Sequence, residues 1–229
     1  EQKADLLPRI AAGEIIGAIA TSEGPGATTA ATLQSTVTEG KLTGVKIPVT
    51  DGGIADVALV LAKEGGKPGL FLVELTGEGV TREAVKTLDP TRDAAKLTFK
   101  DVPARRVGAV GAGMELVEQI FDRAAVLIAF EQCGGSDRCL EMAKEYALER
   151  YAFGRVIASY QAIKHKLADM YVKNELARSN AYYGAWALNT NAPELPVAAS
   201  AARIAASDAY WFASKENIQT HGGIGFTWE

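Results

Sequence analysis

The sequence is short of the residues that metal sites and disulfide frameworks require. Only two cysteines and two histidines occur among its 229 residues. Cys133 and Cys139 lie six positions apart in a helical pattern, and no second cysteine pair completes a zinc site or a disulfide framework. We therefore expect no metal and reduced thiols in a cytoplasmic protein.

The sequence also lacks an excess of positive charge and long hydrophobic runs. Its 24 Lys and Arg against 28 Asp and Glu give a net charge of −4, without a basic cluster. This balance argues against nucleic acid as the main partner. No apolar run approaches the ~20 residues that span a bilayer, so no membrane span is expected. The chain opens without a methionine or a secretory signal, and it reads as a piece of a longer protein.

Short apolar runs in the first half predict strands. Val45, Ile47 and Val49 alternate with other residues, the pattern of a half-buried strand with these three inward. Because Pro48 cannot donate to a ladder, this strand should lie at an edge or pair irregularly. Further strands are predicted at 57–62, 70–75, 97–100 and 107–110, with a glycine-rich turn at 65–69. Residues 16–108 should thus form a mostly antiparallel barrel or sandwich.

The second half has the periodicity of long helices. Apolar residues recur at three- and four-residue steps in three stretches, 114–147, 163–188 and 196–213. Gly134-Gly135 lies inside the first stretch at a cost of ~1 kcal/mol per glycine, which a close helix crossing or a passing ligand would explain. Gly222-Gly223 should end the last helix. An antiparallel bundle of three helices follows.

Three strings in this half resemble motifs of the acyl-CoA dehydrogenase family. They run from Tyr146 to Ile157, from Gln161 to Met170 and from Ile218 to Phe226, in the family's order. The resemblance covers the whole chain, more loosely in the strand region, and implies a multi-domain α+β fold. It divides the chain into a remnant of an N-terminal helical domain (1–15), a middle β domain (16–108) and an incomplete C-terminal helical bundle (109–229).

The resemblance implies a flavin enzyme. Such enzymes remove a proton from Cα and a hydride from Cβ of an acyl-CoA thioester. A carboxylate is the base, FAD takes the hydride, and an electron-transfer flavoprotein accepts the electrons. The family forms tetramers, dimers of dimers, in which each FAD lies between two subunits. One subunit cradles the flavin ring with its strand domain, and the other binds the adenine and diphosphate end with its bundle.

The bundle motifs for the adenine and diphosphate end are present in this sequence. A permanent cation suits diphosphate oxygens, an aromatic ring offers a surface, and amides and exposed backbone N–H groups bind anions. The predicted FAD contacts of the bundle are Arg150, Phe153, Gly154, Gln161, Gln219, Gly222 and Gly223.

The flavin-ring half departs from the family pattern. The segment Thr21–Thr28 lacks the serine and aspartate that the family carries after its glycines. In a second segment, Pro48 stands where the family has a tryptophan that packs beside the flavin, while Thr50 is kept and is predicted to contact the cofactor. An indole buries ~150–250 Å², which proline cannot replace. The flavin-ring motifs of the strand region are therefore degraded relative to the family pattern.

The catalytic base is missing from its usual places in the visible chain. The family's position on the first long helix corresponds to Ala124, and its other position lies beyond Glu229. Glu131 is a substitute candidate, since it falls on the same helix face about 10 Å further along. An apolar pocket would raise the pKa of such a carboxyl and make it a base. The alternative is a solvent-facing glutamate or one paired with Arg138.

Several functions stay open at this stage. An intact bundle half beside a degraded ring half favours a subunit of a heteromeric actinobacterial enzyme, as the family has for CoA thioesters of steroid side chains. The main rival is a homotetramer with its base in the unseen C-terminal part. A non-catalytic structural subunit is a third interpretation, and an acyl-CoA oxidase is a weaker one.

Overall fold

The structure, a computed structural model, describes residues 2–227. The chain divides into two compact units, a strand unit (Glu1–Gln119) and a helical unit (Ile120–Glu229). The division falls inside one long helix. The domain boundaries drawn from the sequence stay a prediction. Within the described part of the chain, no helix is both long enough and apolar enough to cross a membrane.

The strand unit begins with one helix and continues as strands. Its elements are α1 (Gln2–Ala11), β1 (Gly17–Ala20), β2 (Thr36–Thr38), β3 (Lys41–Thr50), β4 (Val57–Glu64), β5 (Lys67–Glu74), β6 (Val80–Ala84) and β7 (Ala94–Val107). Among the described residues these strands form one seven-stranded sheet. β4 pairs in parallel with β1 and β2, and the other pairings are antiparallel. Pairing runs in a closed circuit through β4, β2, β3, β7 and β5.

The mixed α+β class predicted from the sequence is confirmed, and one detail of the strand assignment is wrong. The stretches at 97–100 and 107–110 were expected as two strands, but β7 is a single strand of 14 residues that ends at Val107. The polar break between them is an irregularity inside the strand. Asp101 has a φ of 53°, and its N–H donates to Thr43 Oγ1 at 3.2 Å. A left-handed residue can interrupt a ladder without ending the strand.

The core of the strand unit consists of large aliphatic and aromatic side chains. Leu42, Val60, Phe71, Leu97 and Phe99 are all essentially inaccessible to solvent. Burial of such side chains contributes ~1.5–3 kcal/mol each and is the main stabilising term of this unit.

The helical unit contains most of α2 (Gly113–Glu149) and all of α3 (Gln161–Thr190) and α4 (Leu195–His221). These are the three long helices that the periodicity predicts. A two-stranded hairpin, β8 (Tyr151–Ala152) and β9 (Arg155–Val156), joins α2 to α3. Lys166 pairs with Glu216 and Lys173 with Asp208, the order of contacts of two helices that run in opposite directions.

Small residues form the core of the helical unit. The buried apolar positions are mainly alanines, among them Ala129, Ala177, Ala181, Ala202, Ala206 and Ala209. Of the two adjacent glycines inside α2, Gly135 is required by packing, because a Cβ there would lie 2.7 Å from the Tyr210 ring. Gly134 has open space around it. The close crossing predicted for this pair is therefore made by Gly135.

Candidate functional site

The hairpin after α2 presents an exposed aromatic ring at its tip. Phe153 and Gly154 form the two-residue tip, with φ angles of 55° and 81°. Positive φ at both positions is the geometry of a type I′ turn, which glycine adopts freely and a bulky residue does not. The Phe153 side chain is 98% exposed. The hairpin thus presents a solvated phenyl group on a strained backbone, three residues after Arg150.

Hydrogen bonds on both sides fix this hairpin to the helices. The Arg150 N–H donates to the Tyr146 carbonyl at 2.9 Å, and the Ile157 N–H donates to the Arg150 carbonyl at 2.8 Å. The Tyr160 hydroxyl donates to the Ala152 carbonyl at 2.9 Å. The Arg155 guanidinium lies 4.0 Å from the centre of the Tyr160 ring, a cation–π contact. These contacts therefore hold the hairpin in one position relative to α2 and α3.

The end of α4 presents open backbone. Gly222 has a φ of 64° and caps the helix, and a 3-10 turn follows at Gly222–Gly225. A Cβ on Gly222 or on Gly223 would meet no atom within 4 Å. Their peptide groups are thus accessible to a ligand, and Gln219 in the last helical turn is also exposed. The predicted helix stop at this glycine pair is confirmed.

A ring stack brings these segments to the same end of the helical unit. The Tyr146 ring near the end of α2 and the His221 ring at the end of α4 have centroids 4.3 Å apart and planes 26° apart. Gln161, the first residue of α3, follows Tyr160 directly and is exposed. We call residues 146–161 and 219–226 the hairpin end. It contains all seven residues that the bundle motifs single out, Arg150, Phe153, Gly154, Gln161, Gln219, Gly222 and Gly223.

The side chains of the hairpin end fit the adenine and diphosphate part of a dinucleotide. The seven predicted residues among them supply one guanidinium, two amides, exposed glycine backbone and an exposed aromatic ring. Anionic oxygens need such donors, and a purine needs a flat apolar surface. Cofactor contact by these residues stays a prediction.

Thr50 lies in the strand unit, as the last residue of β3, and its side chain is exposed. The loop that follows is tied down by Asp93. The Asp93 carbonyl accepts from the Asp51 N–H, and its carboxylate accepts from the Gly53 N–H, each at 3.0 Å. The hydroxyl of Thr50 is thus held on a rigid strand end, and its contact with the flavin stays a prediction.

A buried ion pair that the sequence did not reveal lies under the segment Thr21–Thr28. The Lys46 ammonium is inaccessible to solvent and donates to Glu23 Oε1 at 2.8 Å. The same carboxylate accepts from the Ser35 and Gln34 N–H groups at 2.9 and 2.6 Å. The segment that the resemblance places at the flavin is therefore anchored firmly to the sheet.

The prediction that Val45 points inward and Lys46 outward is wrong. Val45 is 37% exposed, whereas Lys46 is fully buried. The reason is a register shift between Lys46 and Val49, where three residue steps of β3 lie against two of β7. Lys46 before this shift and Val49 after it therefore both face inward, and Val45 faces outward. The same shift confirms the irregular pairing expected around Pro48.

The ion pair changes the acid strength of both groups. Burial would raise the pKa of Glu23, but hydrogen bonds from Lys46 and from two backbone N–H groups outweigh burial and lower this pKa to about 2. Burial also lowers the pKa of Lys46, and the attraction of Glu23 opposes that effect. Glu23, which lies in a segment that departs from the family pattern, thus has a structural role: its ion pair holds that segment on the sheet.

Glu131 lies on the surface of α2, and its side chain is exposed in this chain. It stands 19 residues before Arg150, about 28 Å along the helix axis, so it does not join the hairpin end. The suggested partner Arg138 forms its ion pair with Glu141. The role of Glu131 as catalytic base stays a prediction.

Comparisons with known proteins find relatives over most of this chain. Residues 111–229 match the C-terminal domain of acyl-CoA dehydrogenases. The chain is 40% identical over 181 residues to the acyl-CoA dehydrogenase IpdE2 of Mycobacterium tuberculosis. The matched region covers 79% of this chain and 50% of that protein.

Two solved structures superpose on nearly the whole chain. Butyryl-CoA dehydrogenase from Megasphaera elsdenii matches with a TM-score of 0.92 at 29% identity, over 99% of this chain and 63% of that one. A steroid acyl-CoA dehydrogenase named for a pair of proteins matches with a TM-score of 0.85 at 30% identity, over 98% and 61%. The chain spans between half and two thirds of the length of these relatives.

Proposed function

Because the chain belongs to the acyl-CoA dehydrogenase family of FAD-dependent oxidoreductases, we propose that it is a subunit of an enzyme that dehydrogenates an acyl-CoA thioester between Cα and Cβ. Its hairpin end would hold the adenine and diphosphate part of an FAD whose ring lies on another subunit. When bound, FAD accepts the hydride. The proposed electron acceptor is an electron-transfer flavoprotein.

The observation that carries this proposal is the composition of the hairpin end. Phe153 is 98% and Phe226 89% exposed, and Leu148, Tyr151 and Ile224 are each more than half exposed. A soluble subunit that stands alone rarely leaves such an apolar cluster in water, so a partner surface is expected over it. The cation and the open glycine backbone within the cluster suit an anion held at that interface.

We propose further that the partner is a different polypeptide and that the complex acts on the CoA thioester of a steroid side chain. The support is the asymmetry between the hairpin end, which has the family's residues, and the Thr21–Thr28 and Pro48–Asp51 segments, which depart from them. The similarity to a steroid enzyme named for a pair of proteins points the same way.

Co-expression with candidate partner chains, followed by measurement of bound FAD per polypeptide, tests the assembly. A heteromer in which this chain does not hold the flavin ring should contain fewer FAD molecules than chains. One FAD for every copy in a homotetramer would reject the heteromer and favour a homotetramer whose base lies in a further part of the protein.

Arg150→Ala tests the nucleotide-binding role, with Arg138→Ala as the matched control. Both changes remove one arginine from a surface of the helical unit, but only Arg150 lies at the hairpin end. Loss of a charge-assisted contact of ~1.5–3 kcal/mol should weaken FAD retention by roughly 10- to 100-fold in Arg150→Ala alone. Unchanged flavin absorbance with intact assembly would instead favour a non-catalytic scaffold.

Glu131 is the proposed base of this subunit, for an active site that assembly completes. A base that is active near neutral pH needs a raised pKa, hence a buried carboxyl, and Glu131 is exposed in this chain. Assembly would therefore have to cover it. Glu131→Gln in the assembled enzyme should lower kcat by at least about 100-fold, while Glu141→Gln on the same helix should not. Equal rates would remove Glu131 from the mechanism.

A further inference from the structure

The stack between Tyr146 and His221 joins the two segments of the hairpin end. Tyr146 is one helical turn before Arg150 and accepts the hydrogen bond from its N–H. His221 is the last residue of α4, directly before Gly222. The two rings, 4.3 Å apart, thus connect the cationic side of the site with its glycine turn.

The His221 ring is oriented independently of this stack. Its Nδ1 lies 2.9 Å from the Asn217 carbonyl, which can only accept, so Nδ1 carries the proton and donates. Gly225 packs against the same residue, because a Cβ there would lie 2.9 Å from His221 Cβ and 2.6 Å from the Ile218 carbonyl. The turn after α4 is therefore folded back onto the last helical turn, directly beside the residue whose ring stacks on Tyr146.

Other cross-links at this end do not hold the turn. The Tyr160 hydroxyl and the Arg155–Tyr160 contact fix the hairpin to the start of α3. The Lys166–Glu216 ion pair joins α3 to α4 more than a turn before the helix ends. Among the described contacts, the stack is the one that ties the end of α2 to the residue that begins the glycine turn.

We propose that Tyr146 and His221 are positioning residues that hold the Arg150 hairpin and the Gly222–Gly225 turn in one fixed arrangement. A diphosphate then meets the guanidinium and the exposed glycine backbone together, and binding does not have to order either segment. Neither ring is assigned a chemical role. The inference deepens the proposed function and rests on it for the identity of the nucleotide.

Amide hydrogen exchange of the full chain without added nucleotide tests the link itself. Tyr146→Ala removes the ring, and Tyr146→Phe keeps it. Loss of an aromatic stack of ordinary strength should accelerate exchange by about 3- to 10-fold at both 151–156 and 222–226 in Tyr146→Ala. Tyr146→Phe should match the wild type, and the connection at 191–194 should be unaffected in both. Acceleration in the hairpin alone, or in neither segment, would overturn the proposal.

FAD titration of the co-expressed assembly tests the consequence for binding. Tyr146→Ala should weaken FAD affinity by about 3- to 10-fold, while Tyr146→Phe should stay within about twofold. Wild-type affinity in Tyr146→Ala, together with weakened binding in Arg150→Ala, would reject the positioning role and leave the proposed function standing. Unchanged affinity in Arg150→Ala would instead reject the proposed function, and the exchange experiment would still decide whether the rings link the two segments.

Discussion

The strand unit and the helical unit position their candidate site residues by different physical means. In the strand unit a core of large side chains surrounds one buried ion pair, Lys46 with Glu23, that anchors a loop. In the helical unit, alanines and Gly135 bring helix backbones together, and one ring stack joins the helix ends. The comparison shows that the segment Thr21–Thr28 is held by charge compensation, whereas the hairpin end is held by close packing and ring contact. Different substitutions should therefore destabilise the two.

The largest expected loss of stability follows from Glu23→Gln. It leaves the Lys46 ammonium buried without its counter-charge, and breaking a buried pair costs about 3–5 kcal/mol. Urea unfolding should show this loss, and hydrogen exchange should rise most in peptides of the strand unit. Glu83→Gln, which disrupts an exposed pair with Lys96, should cost less than about 1 kcal/mol. Equal losses in both variants would contradict the anchoring role of Glu23.

Acid should weaken the same anchor. The pKa of Glu23 is lowered from 4.5 to about 2, so the folded state favours the ionised carboxylate. Its stabilisation is complete above pH 4.5 and is lost as the pH falls toward 2, up to about 3 kcal/mol. Urea midpoints measured across this window should fall with pH in the wild type and fall less in Glu23→Gln. Parallel profiles would show that other groups govern the acid response.

Adjacent glycines in α2 should respond with opposite sign. Gly135→Ala places a methyl group 2.7 Å from the Tyr210 ring and should cost about 1–2 kcal/mol. Gly134→Ala has open space and should gain up to about 1 kcal/mol from helix propensity. Trp186 and Trp211 both lie in the helical unit, so their fluorescence during urea unfolding reports these changes. An increase in the free energy of unfolding in both variants would mean that the Tyr210 ring moves aside at little cost.

The smallest effect is expected for Arg138→Ala. Both partners of its ion pair with Glu141 are more than half exposed, so solvent screens the pair and it contributes little to stability. The urea midpoint should barely move, which also qualifies this variant as the control for Arg150→Ala. A loss of stability as large as that of Glu23→Gln would show that charge matters in the helical unit as much as in the strand unit.

The sequence predicts the three long helices and the glycine stop correctly because both depend on local signals. The periodicity of α2, α3 and α4 and the glycine stop at Gly222 follow from residues close together in the chain. Lys46 shows why the rest could not be predicted. The register shift that follows it in β3 breaks the alternation that the sequence suggests, and its burial depends on Glu23, a partner 23 positions away. The Tyr146–His221 stack is likewise invisible until two helices are placed side by side.

The left-handed conformation of Phe153 has a consequence for any effort to engineer this protein. Asparagine tolerates that backbone shape better, so Phe153→Asn should raise thermal resistance while it removes the ring that would meet a purine. Selection of variants by melting temperature alone would favour this exchange and discard the recognition element. At position 153, thermal stability and nucleotide binding therefore favour different residues.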